Sequence, residues 1–291
     1  MEFINAVSII QSMSGEGWFA STHNMNIYKG CNQGCIYCDS RSSCYKIENF
    51  DKVRAKFDAP KLVEKELQRK RKKGVVSMGG MSDPYNHMEQ KLFYTRQALE
   101  SIYKYSFGVS CITKNELVLR DIDLYKKIQE NNTVCIGVTI TTADDRLQSR
   151  IEKNVTSSSK RFEIVRKMNE NGIYAGILMM PILPFINDTV ENITQIVEKA
   201  HKANARFIYP SFGVTLRDNQ RLYFFEKIGE KLTEQYISAF GESYVCTSQN
   251  YKELKKVFVD LCSKYNIKYK MEDIVKEIKE TKILQQTTLD L

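Results

Sequence analysis

At 291 residues, with 42% apolar and 27% charged positions, the chain has the make-up of a globular protein with room for one large core. No stretch approaches the ~20 consecutive apolar residues of a membrane helix, and eight cysteines in this length, with no secretory leader pattern, do not describe a small disulfide scaffold. The expectation is a cytoplasmic protein with free thiols and no membrane partner, whose net charge of +8 permits an anionic substrate or a nucleic acid without requiring either.

Residues 1–22 lack clear periodicity, and Ser14-Gly-Glu-Gly17 marks a turn. Asn24–Lys29 reads as a first strand. A helix starts at Asp58-Ala-Pro60, with proline in its first turn, and runs into the basic stretch Lys61–Lys73. Cations in a last turn offset the negative end of the helix dipole, which accounts for Arg69–Lys73 more simply than a nucleic-acid patch does. Val75–Met81 is a buried, glycine-rich second strand. Helix Met88–Tyr105, strand Phe107–Thr113, helix Asp121–Asn131 and strand Thr133–Thr141 follow. After them come helix Ser158–Asn171, strand Ile173–Ile182, helix Asp188–Ala203 and strand Arg206–Phe212. Such alternation specifies a parallel sheet with right-handed crossovers. Six strand–helix units are too few for a closed eight-fold barrel, so the fold class expected is α/β, a partial (β/α)6 TIM-like barrel over 1–213. A mainly helical extension over 214–291 should pack on it, with helices at Thr233–Phe240, Asn250–Tyr265 and Met271–Lys282 and a frayed end from Gln285 to Leu291.

After the first strand, Cys31, Cys35 and Cys38 stand at C-x3-C-x2-C spacing. Thiolates are soft ligands for iron–sulfur clusters or zinc. Three of them can hold three irons of a [4Fe–4S] cube and leave the fourth open to chelate the amino and carboxylate groups of S-adenosylmethionine. An electron passed from such a cluster can then break a carbon–sulfur bond and release a 5′-deoxyadenosyl radical. A closed structural zinc site wants four ligands, usually as two C-x2-4-C pairs, and one such pair is present. Cys44 as a fourth ligand would instead make a closed, electron-carrying or structural cluster. Cys111, Cys135, Cys246 and Cys262 read as small buried hydrophobes.

In parallel α/β architectures the chemistry gathers at the carboxyl ends of strands. Four further stretches fall there: Met81-Ser-Asp-Pro-Tyr85, Ile112-Thr-Lys-Asn115, Thr139-Ile-Thr-Thr142 and Met180-Pro-Ile-Leu-Pro184. With Gly34-Cys-Ile-Tyr-Cys-Asp-Ser-Arg-Ser42, their order and spacing from about Asn24 to Pro210 resemble the spore photoproduct lyase-like branch of the radical SAM superfamily. The resemblance implies Cys31, Cys35 and Cys38 as cluster ligands and S-adenosylmethionine as co-substrate. It places Tyr37 against the adenine and Lys114 and Thr139 at the methionine carboxylate, with Ser82 and Thr141 completing the cofactor set. It also implies an electron donor such as flavodoxin or ferredoxin. Independently, a lysine at a strand mouth is a natural carboxylate partner, although a solvated loop lysine and an ordinary strand threonine are the plain alternatives for Lys114 and Thr139.

Two departures bear on the substrate. Val75–Tyr85 contains no cysteine where spore photoproduct lyases place a hydrogen donor, and Asp39 stands where they have a tyrosine. Repair of a DNA lesion is therefore disfavoured, and a small-molecule nucleotide is the expected partner. Small lyases of the same branch include queuine lyase, which frees queuine from queuosine 5′-phosphate by glycosidic cleavage. A guanine-like edge would need a carboxylate acceptor: Asp39 and Asp83 are the catalytic candidates, with Glu152 a further substrate contact. A 5′-phosphate would need cations, for which Arg146, Arg150, Arg217 and Arg221 are available. A nucleic-acid repair enzyme and a non-catalytic iron–sulfur or zinc protein remain the alternatives.

Overall fold

The computed structural model describes residues 1–15 and 17–289, with side chains through Glu280. Seven strands form one sheet: β1 (Ile10–Ser12), β2 (His23–Met25), β3 (Val75–Met78), β4 (Gly108–Thr113), β5 (Val134–Thr139), β6 (Tyr174–Met179) and β7 (Ile208–Pro210). Their spatial order is their sequence order, β2 to β7 are parallel, and β1 adds antiparallel to the β2 edge. Six parallel strands without closure are what the alternation of elements led us to expect. The strands from β3 to β6 are buried throughout, save for half-exposed Ile112 in β4. Such continuous apolar runs belong to strands covered on both faces.

On the convex face lie α1 (Ala59–Arg69), α2 (Tyr94–Lys104), α3 (Ile122–Asn131), α5 (Ser158–Glu170) and α6 (Val190–Lys202), whereas Ile151 of the short α4 (Asp145–Ile151) packs with Cys35, Ile36 and Tyr37 in a separate cluster. Apolar residues of most of these helices pack with Val109, Cys111, Ile136, Val138, Ala175 and Ile177 in the main core. The concave face is filled differently. Cys135, Tyr174, Leu178 and Phe207 meet Phe19 from the amino-terminal segment and Ile274 and Ile278 from the last helix. Cys135 thus sits in the barrel interior and Cys111 against the helices, as alternation along β4 and β5 demands.

After β7 come a two-stranded antiparallel ribbon, β8 (Gly213–Thr215) with β9 (Val245–Thr247), and four helices: α7 (Asp218–Ile228), α8 (Glu230–Phe240), α9 (Tyr251–Lys264) and α10 (Met271–Leu289). The ribbon and α7 escape sequence reading, because three-residue strands and a helix lacking a long apolar stripe give no periodic signal. α10 spans Met271–Leu289, and of the end expected to fray, 285–291, Asp290 and Leu291 lie outside the described residues.

Two expected elements are divided and a third is shortened. The first strand contributes His23–Met25 to the main sheet, whereas Tyr28–Lys29 pairs with Arg54–Lys56 in a separate small sheet that also takes Phe3–Ile4. Strand Thr133–Thr141 stops at Thr139, and the Thr141 carbonyl accepts from Asn187 Nδ2 (2.8 Å) and Asn192 Nδ2 (3.1 Å). The helix expected over Met88–Tyr105 breaks at Phe93, which takes a left-handed conformation with φ 53°. The break frees the fully buried Glu89 carboxylate to accept from the Thr95 amide at 2.8 Å, which starts the second helix, and from the Tyr28 hydroxyl at 2.6 Å. That side chain outweighs the periodicity.

Candidate active site

β2 leads through Ile27 and Tyr28 to Gly30, and the loop that follows carries the three cysteines. Its course is fixed from both sides. The Cys31 amide donates to the Phe50 carbonyl at 2.8 Å, and the Ile36 amide donates to the Ile151 carbonyl at 3.0 Å. Two short 3-10 turns, Asp39–Arg41 and Ser43–Tyr45, carry the chain out again. Arg41 is sandwiched there, its guanidinium 3.7 Å from the Tyr223 ring centre and 4.8 Å from that of Phe50. Gln220 on α7 is fully buried and donates to the Tyr37 carbonyl at 3.3 Å. The extension, through a helix that sequence reading missed, therefore grips the cysteine loop.

Cys31, Cys35 and Cys38 are free thiols that line one cavity of about 500 Å³ together with Tyr37, Gly79, Gly80, Met81, Ser82, Asp83, Lys114 and Thr139. Cys44 is exposed and lies outside it. The loops after β2, β3 and β4 and the end of β5 thus converge, as parallel architecture requires. Gly79 has φ +97°, and a Cβ on it would lie 1.9 Å from the Ile112 carbonyl oxygen. Only glycine fits that wall.

Burial raises all three thiols. Cys31 is pushed up to about 11 by burial and by neighbouring Cys38, and Cys38 to about 11 by burial and Cys35. Cys35 rises to about 12 by burial, against the pull of the Lys114 ammonium. Lys114 is itself raised: burial works against its charge, and Cys35 and Glu152 outweigh burial. Its ammonium stands 5.9 Å from the Tyr37 ring centre. Three crowded thiols beside one cation make a donor set suited to a group that replaces three protons with metal charge. Among the described residues no three His, Cys, Asp or Glu groups converge on a single ion. A cube does not ask for that, since each thiolate takes a different corner.

Asp83 is buried and its carboxylate is fully engaged. It accepts from Gln33 Nε2 (2.6 Å), Thr113 Oγ1 (2.8 Å), the Lys114 amide (2.9 Å) and the Tyr85 amide (2.9 Å). These bonds tie three loops together and leave little capacity for a substrate edge. Ser82 donates to the Gly30 carbonyl at 2.6 Å. Thr139 lines the cavity, whereas Thr141 is fully buried outside it.

A second cavity, with an empty volume of about 1180 Å³, adjoins the first and shares Tyr37, Cys38, Ser40 and Gly80 with it. Asp39, Tyr45, Met180, Phe212, Tyr251 and both strands of the β8–β9 ribbon form its walls. Asp39 Oδ2 accepts from Arg217 Nη2 (2.7 Å) and the Tyr45 hydroxyl (2.8 Å), while Oδ1 has Ser42 Oγ at 3.5 Å.

The remaining sequence candidates lie elsewhere. Glu152 is fully buried beneath the loop, against Arg161, and lines neither cavity, so it is not placed to touch a substrate. Arg146 and Arg150 are exposed on α4 and outside both cavities. Arg221 donates to the carbonyls of Ser243 and Gly241 at the end of α8. Of the four arginines, Arg217 alone touches a cavity residue. Sequence reading missed Gln33, Arg161 and Gln220, none of which carries a local signal.

The fold is thus an open parallel half-barrel whose loop after the first parallel strand brings three cysteines into one cavity. The Radical SAM superfamily model matches residues 25–200, and the chain belongs to that superfamily; a [4Fe–4S] cluster and S-adenosylmethionine are its cofactors. An uncharacterised protein of Methanocaldococcus jannaschii is 34% identical over 168 residues, 56% of this chain and 61% of that protein. An uncharacterised Mycobacterium tuberculosis protein is 23% identical over 209 residues, 69% of this chain and again 61% of its own length. The chain thus spans about three fifths of these relatives. An uncharacterised protein of Acidianus two-tailed virus is 26% identical over 268 residues, 88% of this chain and 82% of its own. Among solved structures, spore photoproduct lyase complexed with a dinucleoside spore photoproduct has a TM-score of 0.66 at 13% identity, covering 90% of this chain and 79% of that one. At that identity the likeness is one of fold. No described helix is long and apolar enough to cross a membrane.

Proposed function

We propose that the chain is a radical SAM lyase acting on a free modified nucleoside or nucleotide, with release of queuine from queuosine 5′-phosphate as the first specific reaction to test. The observation that carries this reading is the second cavity, which opens onto the cysteine site through Tyr37, Cys38, Ser40 and Gly80. Its aromatic walls suit a planar ring, and Phe212 and Tyr251 meet edge-on at 5.9 Å.

When bound, the cluster and S-adenosylmethionine supply a 5′-deoxyadenosyl radical that abstracts a hydrogen atom. This chain's residues then have separable tasks. Cys31, Cys35 and Cys38 hold the cluster. Lys114 supplies a cation and Thr139 and Ser82 polar edges to the co-substrate. Asp39 offers Oδ1 to a ring N–H, while Arg217 and Tyr45 fix its other oxygen. Asp83 orients the loops and touches no substrate. The run Arg69–Lys73, exposed except at half-buried Lys70, leads into the amino end of β3, opposite the cavity mouth, which favours a small substrate over a polymer.

The test is anaerobic incubation of cluster-loaded protein with S-adenosylmethionine, a reductant and, separately, nucleosides, nucleotides including queuosine 5′-phosphate, and oligonucleotides. The expected result is 5′-deoxyadenosine and a freed base with a monomeric substrate. Product formed only with DNA or RNA overturns the reading in favour of nucleic-acid repair.

A further inference from the structure

The segment after α4 is bound to the cysteine loop along its length. Cys35 and Glu152 form an isolated antiparallel bridge. The Asn154 amide donates to the Gln33 carbonyl at 3.0 Å, and its side chain donates to the Asn32 carbonyl at 2.8 Å. At the centre lie three side chains. The Tyr37 hydroxyl donates to Glu152 Oε1. Glu152 Oε2 stands 2.6 Å from Arg161 Nη2, both residues are 0% exposed, and neither atom has a hydrogen-bond partner elsewhere. Arg161 Nη1 donates to the Thr139 carbonyl at 2.9 Å and Nε to the Thr156 carbonyl at 2.6 Å.

One chain of polar contacts therefore runs from the ring beside Cys38, through a buried carboxylate and a buried guanidinium, to the last residue of β5. Both of its ends, Tyr37 and Thr139, line the cysteine cavity, and its middle lies outside. A buried ion pair adds little net stability over an apolar substitute, because desolvation consumes most of the attraction. What it supplies is fixed geometry: a planar guanidinium holds two carbonyls and a carboxylate in one arrangement.

We propose that Glu152 and Arg161 are positioning residues that set the separation of the two cavity walls at Tyr37 and Thr139, and through it the affinity for S-adenosylmethionine. The role is independent of which substrate fills the second cavity. It explains why a carboxylate stands under a cluster loop, where negative charge opposes three thiolates: its charge is neutralised by Arg161 and its function is directional.

The decisive variant is Tyr37→Phe, which keeps the ring and removes one bond. Iron content should stay close to that of the unsubstituted protein and the thermal midpoint should fall only modestly, one buried carboxylate oxygen having lost its donor, while the Kd for S-adenosylmethionine rises about tenfold, equivalent to ~1.4 kcal/mol. The change that S-adenosylmethionine induces in the EPR signal of the reduced cluster should require correspondingly more ligand. In Glu152→Ala, which leaves the Tyr37 hydroxyl no acceptor, the same affinity should fall at least as far, and adding Tyr37→Phe should weaken it no further, since both remove one bond. If Glu152→Ala does not fold, Tyr37→Phe alone decides. Unchanged affinity in fully loaded Tyr37→Phe, or losses that simply add, overturns the proposal.

Discussion

Asp83 shows how a residue can look like a reactant and serve as a joint. Its four donors come from three loops, although it also lines the cavity. Asp83→Ala would leave these four donors without their acceptor at ~1–3 kcal/mol each, so a loss of at least ~4 kcal/mol in urea unfolding is expected, with lower iron content as a consequence. Normal stability in that variant would return Asp83 to the list of groups facing substrate. Lys114 acts in the opposite sense, since its ammonium lies among Cys35, Cys38 and Glu152. Lys114→Ala should weaken S-adenosylmethionine binding by ~1.5–3 kcal/mol, the range for a charged hydrogen bond, measured by titration of the loaded protein. Cys44, exposed and outside the cavity, should be replaceable by alanine with full cluster absorbance, whereas alanine at Cys31, Cys35 or Cys38 should abolish it. The three thiols also give assembly a pH dependence. Pushed up to about 11, 12 and 11, they carry protons at neutral pH that must leave when metal binds, so reconstitution at fixed iron and sulfide should be more complete at higher pH below that range. Iron content that does not change across that range would contradict the burial of these thiols.

At the scale of elements, what could be read locally was read well. The three-cysteine spacing, the strand-end motifs and the 3.6- and 2-residue periods are all contained in short windows, and they locate six parallel strands and the cavity at their carboxyl ends. What escaped depends on distant partners. Nothing around Glu152 announces that Arg161, on α5, will bury it, and nothing before Phe93 announces that Glu89 will cap the next helix. The ribbon β8–β9 joins residues about thirty apart in short strands, and its sequence looks like loop until the partner is known. The Gly79–Gly80 pair at the end of β3 offers a direct test of what the strand end contributes. Gly79→Ala forces a Cβ against the Ile112 carbonyl at a positive φ and should cost ~1–3 kcal/mol of stability. A Cβ on Gly80 meets nothing within 4 Å, in a residue that lines both cavities. Gly80→Ala should therefore leave the thermal midpoint unchanged and impair ligand binding, and the opposite pattern would mean that the cavity is not used.

For the whole molecule, the change of character near Gly213 separates composition more than structure. The amide of Ile208 in β7 donates to the Lys268 carbonyl at 2.8 Å, and Asp188 accepts from Ser248 Oγ at 2.6 Å. Arg217 reaches Asp39 on the cysteine loop, and Ile274 and Ile278 of α10 help fill the barrel interior beside Phe19, Cys135, Tyr174 and Phe207. We therefore expect barrel and extension to unfold as one unit. Ending the chain after Lys270 would uncover that interior layer, and each large apolar side chain returned to water forfeits ~1.5–3 kcal/mol. The shortened protein should bind a hydrophobic dye, lose its sharp thermal transition and fail to hold the cluster, although all three cysteines and Lys114 are present. If it keeps both transition and cluster, α10 is an appendage and the barrel interior is closed by the amino-terminal segment alone. The loss of cluster in a chain that keeps all three cysteines would place the origin of the site's geometry in packing contributed from the far end of the chain.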